Sequence, residues 1–167
     1  GLCGGFNSNI NRETTKYVRS LENEGKSASL LTIGKKSRDF FNRTMKSKII
    51  ESYVDLGATG AGYDTAIQIS NKIQKLYFDN QFDVCVFIYN KFKSVIVQEV
   101  TQQQLIPLNI TNKKEIENKE KMQDSSIYTY EPDEESILQD LLPKNVSIQI
   151  FKILLESNAG EQGARMV

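Results

Sequence analysis

Gly1, Gly4 and Gly5 crowd the first five residues around Cys3, and the stretch GLCGGFNSNI runs straight into a helical pattern. A glycine-rich turn that opens a helix can hold phosphate, because backbone N–H groups and the helix N-terminus then face one anion. Spacing decides whether it does. A dinucleotide fingerprint needs G-x-G-x-x-G after a strand, and a P-loop needs G-x-x-x-x-G-K followed by Ser or Thr. This chain has G-x-x-G-G with no lysine behind it, and the second cluster, GATGAG over 57–62, is equally off-pattern. Both are read as turns, the first letting a strand swing sharply into a helix packed close to a sheet. That strand would precede Gly1, so the chain is expected to begin inside a domain.

Other residue types narrow the chemistry further. Histidine is absent, which removes the commonest general base, metal ligand and partner for a catalytic Ser or Cys. Cys3 and Cys85 stand far apart, a pattern that suits a reducing compartment and argues against a zinc site. Cys85 sits in the most apolar run and is expected to be a buried, inert thiol. Lys35, Lys36, Arg38, Arg43, Lys46 and Lys48 face a single acid, Asp39, within fourteen residues; this is a solvated face or a docking patch for an acidic partner or lipid head groups. Over the whole chain, 21 basic and 21 acidic residues cancel, so no nucleic-acid footprint is present. No apolar run nears the twenty residues of a membrane span, and no signal peptide is visible. No catalytic, cofactor-binding or metal-ligating set emerges.

The elements that carry these residues read as follows. With 167 residues, 39% of them hydrophobic and 25% charged, the chain has the size and composition of one globular domain. Residues 6–24 predict an amphipathic helix with Ile10, Tyr17, Val18 and Leu21 on one face, Asn7 or Ser8 as cap and Gly25 as stop. SLLTIG (29–34) predicts a strand, KKSRDFFNRT a short helix, and KIIESYV (48–54) a second strand. A helix over Tyr63 to Phe78 carries a stripe of Tyr63, Ala66, Ile67, Ser70, Ile73 and Tyr77. FDVCVFIYN (82–90) has the continuous apolarity of a strand buried on both faces, with Val84, Val86 and Ile88 inside. SVIVQEVTQQQLIPL follows after only three residues, predicting an antiparallel hairpin. Strand–helix–strand–helix–strand order implies an α/β sheet of four to five strands with helices on both faces.

Beyond Pro107 the pattern changes. Residues 109–125 are too charged to order themselves and predict a mobile loop, the first site of proteolysis. SIYTYEP returns as an edge strand, and DEESILQDLLP is a short helix closed by Pro143. From Lys144 to Val167 a helix of about 36 Å can run, fraying at Gly160 and Gly163. The expected division is therefore a globular α/β body over 1–143 and a helix leaving it over 144–167. Glu161 and Arg165 lie four apart on that helix, acid first, which favours an intrahelical pair.

GLCGGFNSNI, TIGKKSRDFF, FDVCVFIYNKFKSVI, LIPL, YTYEP and LLESNAGEQGARMV, taken in order, resemble the gamma subunit of F-type ATP synthases over essentially the whole chain apart from 109–125. The resemblance implies a three-layer Rossmann-like sheet that interrupts an antiparallel coiled coil, here truncated at both ends. It implies a non-catalytic rotor in the central stalk, without cofactor. The implied partners are the alpha and beta subunits of the catalytic hexamer, the epsilon subunit and the membrane c-ring. The implied location is the cytoplasmic face of a bacterial inner membrane, or the matrix face in a mitochondrion. Carried over by motif, Tyr128, Tyr130 and Glu131 would meet the ring and epsilon, whereas Glu161 and Arg165 would meet a beta subunit. The competing class is a small Rossmann- or flavodoxin-like nucleotide-binding protein. The degenerate glycine loops and the lack of histidine weigh against it, and the fold alone would not decide between them.

Overall fold

The computed structural model describes residues 3–54, 62–107 and 134–166. The loop over 109–125, the YTYEP segment and most of GATGAG lie outside the described residues. The order is α1 (Phe6–Asn23), β1 (Leu30–Ile33), α2 (Lys35–Thr44), a 3-10 turn over Lys46–Lys48, β2 (Ile49–Tyr53), α3 (Tyr63–Phe78), β3 (Cys85–Phe92), β4 (Gln98–Ile106) and α4 (Glu134–Met166).

Helix ends follow local chemistry. Gly5, not Asn7 or Ser8, sits at the N-cap of α1; Ser8 instead donates to the Gly5 carbonyl at 3.0 Å from inside the first turn. At the other end Gly25 takes a φ of 74°, Gly25 N–H donates to Glu22 O and Lys26 N–H to Leu21 O, both at 2.9 Å. Those two bonds satisfy carbonyls that the helix leaves open, and only a residue tolerant of positive φ makes the turn. Asn80 closes α3 in the same way, at φ 54°.

Among the described residues the strands pair as two separate ladders. β1 and β2 are parallel, with Leu31 opposite Glu51 and Ile33 opposite Tyr53. β3 and β4 form the expected antiparallel hairpin, with Phe87 opposite Gln103 and Phe92 opposite Gln98. Each is two-stranded among the described residues. Side chains at alternate positions (Leu31 and Ile33 on β1; Cys85, Phe87 and Tyr89 on β3) nevertheless pack against one shared core with α3 and α4. That core is centred on Ala66, Ile69, Leu105, Val146 and Ile150, all at 0% exposure. Asn90, one residue out of phase, faces the other way and donates from Nδ2 to the Phe6 carbonyl of α1 at 3.1 Å.

Three further expectations differ from the structure. The α3 stripe is rotated: Ala66, Ile69, Ser70 and Ile73 are buried, whereas Tyr63 and Tyr77 are exposed. The cause is that α3 packs chiefly on α4, where Tyr63 meets Phe151 edge-on at 5.4 Å, so its buried line follows a helix neighbour. Val84 is 53% exposed, because β3 begins only at Cys85, and Val86 and Ile88 are half-buried: they alternate with Cys85, Phe87 and Tyr89, which take the core face. Finally, α4 continues through Pro143 rather than restarting after it. Proline removes one backbone donor, and Ser147 Oγ donates to the Pro143 carbonyl at 2.9 Å one turn later.

Cys85 is half-buried, not buried as expected, yet its desolvation pushes the thiol up to about 11. At pH 8 the two-unit rise alone should slow its alkylation about 100-fold relative to an ordinary thiol. Peptide mapping by mass spectrometry after timed labelling reads this; rapid labelling of Cys85 in folded protein would contradict its desolvation. The neutral thiol is favoured in the folded state, so its contribution to stability is held below the ordinary value of 9.0 and lost as pH rises toward about 11.

Candidate functional site

The surface of interest is where the last two turns of α4 meet the opening turn and the β3–β4 hairpin. It is built from small residues. The opening turn is closed by Phe6 N–H donating to the Cys3 carbonyl at 3.1 Å, and Gly4 adopts a φ of 49° that a side chain rarely takes. Cys3 and Phe6 are buried beneath it, and Asn7 Nδ2 donates to Cys3 Sγ at 3.1 Å. The glycines thus serve a tight, side-chain-packed turn, in keeping with their off-pattern spacing.

Gly160 and Gly163 are buried and α4 stays helical through Met166, so the expected fraying does not occur. A methyl group added at Gly160 would sit 3.1 Å from Phe6 Cε2 and 3.4 Å from Gln98 Cγ; at Gly163 it would sit 3.3 Å from Phe92 Cε2 and 3.4 Å from Val95 backbone atoms. These glycines let the helix lie directly on the opening turn and the hairpin. The sequence signal was present in the small-residue spacing of NAGEQGA, which brings Gly160, Gly163 and Ala164 to one helix face. Asn90, which ties β3 to α1, carried no such signal.

On the outward side of the same turns, Arg165 Nη2 meets Glu161 Oε1 at 2.5 Å as the expected i,i+4 pair. Arg165 is exposed and Glu161 partly so, so the pair contributes only a few tenths of a kcal/mol to the helix. Beside it the hairpin leaves Val95, Ile96 and Val97 at 43, 79 and 52% exposure, and Met166 is exposed at 78%. The helix end therefore carries a charge pair on its outward side, and the hairpin it rests on exposes apolar side chains. It holds no constellation for bond-making chemistry among the described residues. Tyr128, Tyr130 and Glu131 lie outside the described residues.

The basic run does not form one free face. Arg38 pairs with Asp39 at 2.7 Å, and this bond holds the Asp39 carboxyl below the ordinary carboxylate range. Lys48 reaches back to Glu22 of α1 at 2.5 Å. Lys35, Lys36, Arg43 and Lys46 remain exposed.

A family model described as ATP synthase matches residues 1–167. The ATP synthase gamma chain of Rhodospirillum rubrum is 47% identical over 168 residues, covering 99% of this chain and 56% of that protein. The chain belongs to the ATP synthase gamma-chain family. The gamma chain of Brucella abortus is 46% identical over 167 residues, again across 99% of this chain and 56% of that protein. The chain therefore spans about half the length of the curated gamma chains it matches. Among solved structures, the central stalk and c-ring of the Tetrahymena thermophila mitochondrial ATP synthase aligns with a TM-score of 0.71 at 27% identity, over 99% of this chain and 68% of that chain. The rotor of the Euglena gracilis mitochondrial enzyme aligns at 0.66 with 16% identity, over 99% and 60%, and shares the fold. Mixed α/β architecture with small sheets is thus a property this chain has in common with ATP synthase stalks.

Proposed function

We propose that this chain is the α/β body of a non-catalytic rotor subunit in the central stalk of an F-type ATP synthase. What carries the reading is the identity of nearly half to gamma chains across 99% of the chain, together with the direct seating of a long helix on the body through Gly160 and Gly163. The rotor couples proton flow through the membrane ring to ATP synthesis or hydrolysis at the beta subunits. Its work is mechanical, so rigid attachment of shaft to body is the property that matters, and no residue makes or breaks a bond. The alternative, a small nucleotide-binding protein, finds no support in an opening turn filled by its own Cys3 and Phe6.

The finer architecture follows the same reading. Two ladders that share one core, with α3 and α4 on one side and α1 tied to Asn90 on the other, suit the halves of a three-layer Rossmann-like sheet. The segment 144–167 is then the start of the C-terminal strand of an antiparallel coiled coil. Partners are the alpha and beta subunits, epsilon and the c-ring, with Tyr128, Tyr130 and Glu131 toward ring and epsilon. The location is the cytoplasmic face of a bacterial inner membrane, as bacterial relatives suggest, or the matrix face of the mitochondrial one.

Glu161 and Arg165 give this reading its test. A contact remade on every rotation must release easily, which suits a solvent-screened pair. Arg165 presents a fork that fits a carboxylate on a beta subunit, and Glu161 holds that fork in place between encounters. Arg165→Glu in the full-length subunit is expected to lower proton pumping per ATP hydrolysed roughly two- to fivefold, the range that about 0.5–1 kcal/mol converts to. Membrane vesicles with a pH-sensitive dye, assayed beside ATPase activity, read the ratio. An unchanged ratio removes the pair from coupling.

A further inference from the structure

The cations of α1 and α2 converge on one groove, and the two helices line it without a carboxylate. Arg12, Lys16 and Arg19 face it from α1, at a spacing of four and three that sets them along one helix side over about 10 Å. Lys36 and Arg43 face it from α2. All five are exposed. Nearby acids neutralise little of this charge. Glu13 lies 3.7 Å from Lys16, the long end of an ion pair, and Asp39 is taken by Arg38. Arg43 spends its Nε on the Asp39 carbonyl at 3.1 Å, and Arg12 reaches Asn9 Oδ1 at 3.0 Å. Arg19 and Lys36 have no hydrogen-bond or ion-pair partner among the described residues.

Two uncharged residues make the groove more than a solvated face. Asn11 lines it at only 6% exposure, and its Oδ1 is buried without a hydrogen-bond partner among the described residues. An unmet buried acceptor costs about 1–3 kcal/mol, so a donor that enters the groove recovers that cost. Phe40 supplies a half-buried aromatic wall.

We propose that this groove docks an acidic protein segment. Its carboxylates meet the five cations, an apolar side chain rests on Phe40, and a backbone N–H donates to Asn11 Oδ1. A peptide carries all three groups on one short stretch. Phosphate brings negative charge and a hydroxyl donor but no apolar side chain for Phe40, and a flat lipid surface reaches the exposed cations but not Asn11 between the helices. The inference goes beyond the rotor reading and is tested without it, by binding to the full-length subunit in the absence of turnover.

The probe is a fluorescein-labelled hexapeptide of alternating glutamate and leucine, followed by anisotropy at low ionic strength. Saturable binding is expected, lost when glutamine replaces glutamate in the peptide. Arg12→Glu with Arg43→Glu should weaken it about tenfold or more, since two favourable surface contacts become repulsive. Lys75→Glu on α3 should change it less than about twofold. Asn11→Leu should weaken peptide binding while leaving retention on phosphatidylglycerol vesicles unchanged. No saturable binding, equal binding by the double reversal, or vesicle retention that depends on Arg12 and Arg43 while the peptide does not bind, would each overturn the proposal.

Discussion

Ile150→Ala is expected to lower the unfolding free energy by about 3–4 kcal/mol. Ile150 is fully buried in the core shared by α3, α4 and both ladders, so truncation removes transfer energy and leaves a cavity that rigid neighbours cannot close. Ile148, two residues away on the same helix, is 58% exposed, and Ile148→Ala should stay within about 0.5 kcal/mol. Urea unfolding of both variants tests the facing of α4 directly. Equal losses would mean that the helix lies in another rotation.

The second large effect is expected at Gly160. Leucine there should cost about 3 kcal/mol, the upper end of ordinary overpacking, because Phe6, Gln98 and the Asn90 carbonyl already surround the position. Alanine should be close to neutral. It gains up to about 1 kcal/mol of helix preference over glycine, against a shift of the Phe6 ring that its 3.1 Å approach demands. The difference between the two variants, not either alone, identifies close approach as the reason for glycine. Cys3, now 2% exposed under the same turn, should become alkylatable in the leucine variant. Wild-type stability in Gly160→Leu would show that the helix end does not rest on the opening turn.

How much of this was legible in the sequence depended on how local the deciding interaction was. The spans of α2 and α3 and the Gly25 stop could be read because periodicity and turn chemistry act within a few residues. The rotation of α3 could not: its buried line is chosen by α4, some eighty residues on, and Ile69 looks no more buriable than Tyr77 until that neighbour is known. Pro143 misled because a proline usually ends a helix, whereas here packing of Val146, Ile150 and Ile153 on the core outweighs one lost backbone bond. At the candidate site, Glu161 and Arg165 were readable as a pair from their spacing. The reason for Gly160 was not, since it depends on Phe6 and Gln98 arriving from distant parts of the chain. The groove was half visible: the basic run on α2 stood out, but its partner cations on α1 and the unmet Asn11 acceptor appear only when the helices are side by side.

The bond from Asn90 to the Phe6 carbonyl spans 84 positions of sequence, and its consequence is one of timing. The β3–β4 hairpin closes over a short loop and can form early, whereas the N-terminal turn is fixed only after distant contacts close, and such contacts form slowly. Variants at Asn90 or Gly160 should therefore hasten unfolding more than they retard refolding. During synthesis at about 5–20 residues per second, α1 emerges about 8–30 s before Gly160 arrives to cover it. Throughout that interval the nascent chain carries Cys3 and Phe6 uncovered, so the opening turn is the part of this body most dependent on protection at the ribosome.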